Sequence, residues 1–71
     1  MGKNQTIAKG VSLIVTTYNR PLFLELVLKS ILRQKVMPAE VIIADDGSTI
    51  ETEELINRYV KLFPVPLIHS W

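Results

Sequence analysis

The chain has 71 residues, of which 48% are hydrophobic and 21% are charged, so it forms one domain at most. Eight Lys and Arg residues against seven Asp and Glu leave a formal net charge of +1, and no basic run interleaved with aromatic residues marks a nucleic-acid surface. The composition therefore argues against nucleic acid as a partner, and the absence of cysteine excludes disulfides and Cys-type zinc sites.

The first half of the chain is predicted to form a strand and a helix. After a polar lead at residues 1–10, which we expect to be flexible, residues 11–16 form an almost continuous β-branched and apolar run that is typical of a strand in a parallel sheet. Pro21 suits the first turn of a helix, where its missing N–H loses nothing. Apolar residues then recur at helical spacing, which predicts an amphipathic helix of roughly 13 residues. Its inner stripe is predicted at Leu24, Val27, Leu28 and Ile31.

The second half repeats this order. Residues 34–38 break the helical pattern, and residues 41–44 are predicted to form a second buried strand. Ser48 and Glu51 have the spacing of a capping box, which predicts the start of a second helix. A proline closes this helix, and residues 66–71 are predicted to form a third strand. The inner stripe of the second helix is predicted at Leu55, Tyr59 and Leu62.

The predicted fold is α/β, with parallel strands in a β-α-β-α-β order and a three-layer, Rossmann-like architecture. Parallel sheets rarely stop at three strands with apolar faces and edges open. We therefore expect the sheet to be incomplete and the natural fold to continue beyond Trp71.

Two short loops follow the first two predicted strands, TYNRP at residues 17–21 and ADDGS at residues 44–48. Because ligands of open α/β sheets bind at the carboxyl ends of parallel strands, we expect these loops to lie side by side at a ligand-binding edge. Asp45 and Asp46 either turn the chain and cap the helix, or accept hydrogen bonds from the imide N–H of a base or from ribose hydroxyls.

The first loop offers complementary groups. Tyr18 can stack on a planar base while Thr16 and Asn19 bond to its edge, although a Thr-Tyr-Asn turn can equally do no more than cap the helix. Arg20 either reaches a phosphate or is simply solvated. His69 has no second His, Cys or acidic partner at ligand spacing along the chain, and we interpret it as structural or incidental.

Three other classes of α/β protein are disfavoured by these loops. No glycine-rich loop follows the first predicted strand, so both the dinucleotide-binding fingerprint and the P-loop are absent. A phospho-receiver domain would carry acidic residues after its first strand, whereas here they follow the second.

The chain resembles the start of family 2 glycosyltransferases of the GT-A fold in three segments: VSLIVTTYNRP, a helix ending ILRQ, and EVIIADDGS. The resemblance covers residues 10–71, and the ending VPLIHSW is similar to the third strand of bacterial members that build surface polysaccharide or lipopolysaccharide. It implies that residues 11–71 are the N-terminal portion of a GT-A nucleotide-sugar-binding domain, whose first two loops hold the nucleotide half of the donor, most often UDP.

The resemblance also implies roles for individual residues. Thr16 and Tyr18 flank the uracil, Asp46 accepts its N3–H, and Asp45 supports the same loop. The full set of predicted nucleotide-binding residues is Thr16, Tyr18, Asn19, Arg20, Asp45 and Asp46. In such enzymes Mg²⁺ or Mn²⁺ on a later Asp-x-Asp motif holds the diphosphate, and a downstream carboxylate acts as general base in an inverting displacement. Neither group is present in these 71 residues, so we expect the metal ligands elsewhere and assign no catalytic residue.

By the same resemblance, the whole enzyme transfers a sugar from a nucleotide-sugar donor to a glycan or lipid-linked acceptor, and these 71 residues alone are expected to be inactive. The alternative is a non-catalytic nucleotide- or protein-binding α/β module. The apolar stretches are far shorter than the ~20 residues that span a bilayer, so we predict no transmembrane segment. We expect a cytoplasmic location, which includes peripheral association with the inner face of the membrane.

Overall fold

A computed structural model of the chain describes residues 5–47 and 49–70. Strands and helices alternate through these residues, and the strands form one parallel sheet in the order β1-β2-β3. The elements are β1 (Thr6–Thr17), α1 (Pro21–Leu32), β2 (Val36–Asp45), α2 (Ile50–Val60) and β3 (Leu67–Ser70). The predicted β-α-β-α-β order with parallel strands is confirmed.

The first strand begins earlier than predicted. β1 starts at Thr6 rather than at Val11, and its first residues pair with the start of β2. A register irregularity separates Ala8 from Ser12, and Gly10 between them has a φ of 79°, which a residue without a Cβ adopts readily. This part of the predicted flexible lead is therefore paired, because β2 extends far enough to bind it.

The second strand also begins early, and it contains a proline. β2 starts at Val36, inside the predicted break at residues 34–38, and Pro38 lies within the strand. Since β3 pairs only with Val41–Ala44, β2 has a strand on one side alone at the level of Pro38. A proline is tolerated where one edge of a strand needs no backbone donor.

Helix α1 begins at Pro21, as predicted, and packs its apolar stripe on the sheet. Its buried side chains are Leu24, Leu28, Ile31 and Leu32, and Val27 is half-buried against the same core. At its C-terminal end, Nε2 of Gln5 donates hydrogen bonds to the carbonyl oxygens of Leu32 and Gln34, both at 2.8 Å. The carbonyl of the last helical residue and one just beyond the helix are thus satisfied by Gln5.

Helix α2 begins one residue later than the capping box predicts. Its first residue is Ile50 and its N-cap is Thr49, whose extended backbone suits that position. The Thr49 side chain makes no capping hydrogen bond with the described residues. Ser48, the predicted cap, lies outside the described residues.

The buried stripe of α2 differs from the prediction at its C-terminal end. Leu55 and Tyr59 are buried as predicted, and Ile56, which was not predicted, is completely buried. Leu62 is 55% exposed. The helix ends at Val60, so the helical spacing that assigned Leu62 to the inner stripe no longer applies.

Tyr59 also joins the two helices. Its hydroxyl donates a hydrogen bond to Oε2 of Glu25 at 2.8 Å. Burial raises the pKa of Tyr59 above its ordinary value of 10.0, and the hydrogen bond and the negative charge of Glu25 raise it further, while Arg58 acts weakly in the opposite direction.

Both helices cover the same face of the sheet. Their buried side chains form one core with residues of the strands, such as Ile43 and Leu67. On the other face, Ile14, Ile42 and Ile68 lie in one row across the three strands, and Ile14 is 62% exposed. The described residues therefore form two layers, a sheet and a helical layer, of the three that the sequence predicted. No helix in this part of the chain is long and apolar enough to cross a membrane.

Candidate functional site

The carboxyl ends of the three strands meet at one edge of the sheet. Thr17 pairs with Asp45, and Ala44 pairs with Ser70. The loops that follow β1 and β2 are therefore neighbours, as predicted. A cavity of about 430 Å³ opens at this edge, a size typical of small-molecule sites. It is lined by Thr16, Thr17, Tyr18, Ala44, Asp45, Asp46 and Ser70.

Direct contacts hold the two loops together. The backbone N–H of Asp46 donates to the carbonyl oxygen of Thr17 at 3.0 Å. Gly47 has a φ of 93°, and a Cβ at this position would lie 3.2 Å from Cε1 of Tyr18, so the tyrosine ring rests against the glycine. Tyr18 is nevertheless 68% exposed. The loops thus present an aromatic ring and an acidic residue side by side at the cavity.

The two adjacent carboxylates have different surroundings. Asp45 is the last residue of β2 and shares the helix-covered face with Ile43, and it is only 8% exposed. Its Oδ2 accepts a hydrogen bond from Nε2 of His69 at 2.6 Å. Asp46 follows the end of the strand and is exposed at the cavity. Asp46 is therefore the more accessible hydrogen-bond acceptor of the pair.

The contact between His69 and Asp45 corrects the sequence interpretation, which found no acidic partner for this histidine. The two residues are 24 positions apart in the chain. The pairing of β2 with β3 brings them together, because both lie on the same face at the end of the sheet. A structural role for His69 agrees with this contact, but spacing along the sequence cannot detect it.

Two predicted site residues lie away from this cavity. Asn19 has a φ of 47° and occupies a left-handed turn just before α1. Arg20 is the N-cap of α1 and makes no side-chain capping bond to any described residue. Arg20 lines a second cavity, of about 710 Å³, between α1 and α2. That cavity is lined by Arg20, Pro21, Leu22, Phe23, Glu25, Glu51, Glu54, Leu55 and Arg58.

The structure thus brings together Thr16, Tyr18, Asp45 and Asp46 at the first cavity, whereas Arg20 lines the second. The left-handed turn at Asn19 lies between Tyr18 at the first cavity and Arg20 at the second. Sequence reasoning also missed three residues that line the first cavity, Thr17, Ala44 and Ser70. Of these, Thr17 and Ser70 are the last residues of their strands. The rule that ligands bind at the carboxyl ends of parallel strands would identify both, once the strand ends are known.

Metal binding is not supported by the part of the chain that the structure describes. Residues 5–47 and 49–70 contain no group of three or more His, Asp or Glu side chains that could hold a metal ion. One oxygen of Asp45 is already bonded to His69. The described residues therefore offer no cluster of candidate metal ligands.

Comparison with known proteins identifies the family. The sequence profile described as Glycosyl transferase family 2 matches residues 12–70, which include the second half of β1 and all the later elements. The chain belongs to glycosyl transferase family 2. The resemblance found in the sequence is thereby confirmed, and with it the assignment to a family of sugar-transferring enzymes. No solved structure matches this family 2 chain at a significant level.

Curated relatives of this family 2 chain include bacterial polysaccharide synthases. Chondroitin synthase from Escherichia coli is 34% identical over 69 residues, or 96% of this chain. Hyaluronan synthase from Pasteurella multocida is 45% identical over 51 residues, or 70% of this chain. The GalNAc(5)-diNAcBac-PP-undecaprenol beta-1,3-glucosyltransferase from Campylobacter jejuni is 37% identical over 51 residues, or 72% of this chain. The chain spans only 10%, 5% and 16% of the lengths of these three relatives.

Proposed function

We propose that this family 2 chain binds the nucleoside of a UDP-linked sugar donor in the cavity at the carboxyl edge of its sheet. The observation that carries the proposal is the pairing of an exposed aromatic ring, Tyr18, with an exposed carboxylate, Asp46, on two loops bonded to each other. The ring offers a stacking surface for a planar base. The carboxylate offers an acceptor for a donor on the edge of that base.

The charge of the site supports the nucleoside half of the donor as its ligand. Asp45 and Asp46 both line the cavity, whereas Arg20 lies at the second cavity. Anionic side chains repel a diphosphate and bind N–H groups, so the base and the ribose belong at this edge. Uracil presents an N3–H donor, whereas cytosine presents an acceptor at N3. A carboxylate at this position therefore favours UDP over CDP.

The complete reaction is a further part of the proposal. The donor gives its sugar to a glycan or lipid-linked acceptor, in keeping with the polysaccharides and the undecaprenol-linked glycan in the names of the relatives. As the family resemblance implies, we place the ligands of the Mg²⁺ or Mn²⁺ cofactor, and the general base, outside the described residues, which hold no cluster of candidate metal ligands. We place the protein in the cytoplasm or at the inner face of the membrane, where a lipid-linked acceptor would lie.

Calorimetric titration of the full-length protein with UDP and CDP tests this proposal. The wild-type protein should bind UDP more tightly than CDP. Asp46→Ala should weaken UDP binding by about 1–3 kcal/mol, or roughly 5- to 150-fold, because the N3–H loses its acceptor. The same substitution should narrow the preference for UDP over CDP, since the group that repels cytosine N3 is also removed.

Glu51→Ala is the matched control. It removes one exposed carboxylate from the first turn of α2, at the second cavity rather than the first. It should leave the affinity for UDP unchanged. If Asp46→Ala and Glu51→Ala bind UDP equally tightly, the role of Asp46 at the base edge is wrong.

A further inference from the structure

The contact between β2 and β3 at the site edge joins two titratable side chains. Nε2 of His69 lies 2.6 Å from Oδ2 of Asp45, and the two side chains are 12% and 0% exposed. We assign Nε2 of His69 as the donor of this hydrogen bond, because a carboxylate offers only acceptor oxygens. A short hydrogen bond to a carboxylate, shielded from water, is among the stronger side-chain hydrogen bonds.

The hydrogen bond from His69 to Asp45 links β3 to the end of β2, next to the cavity. His69 pairs in register with Ile43, and its ring reaches Asp45, two positions further along β2 on the same face. Asp45 is the last residue of the strand, and the next residue is Asp46 at the cavity. The histidine therefore holds the end of β2 at the point where the chain turns into the loop that bears the exposed carboxylate.

A second contact makes the position of Asp46 sensitive to this bond. The backbone N–H of Asp46 donates to the carbonyl oxygen of Thr17, so the start of the loop is tied to β1 on one side. The bond from His69 to Asp45 ties the preceding residue to β3 on the other side. Since Thr17 pairs with Asp45, these two ties fix the strand end between its neighbours.

We propose that His69 is a positioning residue for nucleotide binding, which fixes Asp45 and thereby the orientation of Asp46. This inference rests on the proposed function, because it concerns the same cavity and the same ligand. If the donor on His69 is removed, Asp45 loses this hydrogen bond, and the end of β2 loses its side-chain tie to β3. The adjacent residue then shifts, and Asp46 no longer meets the base at hydrogen-bonding distance.

The test compares two substitutions of His69 in the full-length protein, with UDP affinity and thermal stability both measured. His69→Leu removes the donor and keeps an apolar side chain of similar bulk, whereas His69→Gln keeps an N–H donor. His69→Leu should weaken UDP binding about tenfold or more. His69→Gln should restore the affinity to within about threefold of the wild type, because its amide can donate to Asp45.

Leu67→Ala separates positioning from general destabilisation. Leu67 lies on the same strand and is buried in the core, so this change lowers the melting temperature without removing a polar contact. It should leave the affinity for UDP unchanged. If His69→Leu lowers the melting temperature but binds UDP as the wild type does, or if His69→Gln binds no better than His69→Leu, His69 has only a structural role.

Asp46→Ala, measured alongside, distinguishes failure of this inference from failure of the proposed function. When Asp46→Ala weakens UDP binding and His69→Leu does not, only the positioning role is overturned. When the wild-type protein does not bind UDP, the proposed function is wrong and this inference is overturned with it.

Discussion

The contact between Gly47 and Tyr18 gives a sharp test of how the two loops cooperate. In Gly47→Ala, the new Cβ would lie 3.2 Å from Cε1 of the tyrosine ring, closer than ordinary van der Waals contact. The ring is 68% exposed, so it can move away, but it then leaves its position beside the cavity. The backbone φ of 93° adds about 1–2 kcal/mol of strain for any residue with a Cβ.

The substitution should therefore have two separable effects. The strain should lower the free energy of unfolding by about 1–2 kcal/mol, which denaturant titration measures. Displacement of the ring should weaken UDP binding by at most the binding free energy of one base–aromatic stacking contact, about 1–3 kcal/mol. Tyr18→Ala, which removes the ring, sets the upper limit for this second effect in the same calorimetric titration.

Gly10→Ala is the control for the strain alone. Gly10 also has a positive φ, of 79°, but no described atom lies within 4 Å of the position that a Cβ would take. This change should reduce stability by a similar amount and leave UDP affinity unchanged. If Gly47→Ala binds UDP as tightly as Gly10→Ala does, the tyrosine ring is not part of the nucleotide site and the reasoning is refuted.

Two other substitutions test the surroundings of the site. Tyr59→Phe removes the hydroxyl that donates to Glu25, so the free energy of unfolding should fall by about 1–2 kcal/mol near neutral pH. Because the pKa of Tyr59 is raised in the folded state, the wild-type protein should also lose stability as the pH rises above 10.0, the ordinary value. This loss should be smaller in Tyr59→Phe. Equal losses for the two proteins in denaturant titrations at high pH would contradict the raised pKa of Tyr59. Arg20→Ala should leave the affinity for UDP unchanged, because Arg20 lies at the second cavity, and a tenfold loss in titration would show instead that it reaches the diphosphate.

Much of the fold was predictable because its signals are local. The apolar run of β1, the helical spacing in α1 and the proline at its start each depend on residues close together in the chain. The boundaries were less predictable. Thr6 joins β1 because β2 is there to pair with it, and Leu62 leaves the buried stripe because α2 has already ended at Val60.

The candidate site also has features that the sequence predicts and features that only the structure shows. The sequence by itself determined that two loops follow parallel strands, that Tyr18 and Asp46 belong to neighbouring loops, and that the chain belongs with family 2 glycosyltransferases. Only the tertiary structure decided that Asp45 is buried against His69 while Asp46 is exposed, and that Arg20 lines a second cavity. Propensity and periodicity act over a few residues, whereas register and burial depend on strands that meet across 24 or more positions.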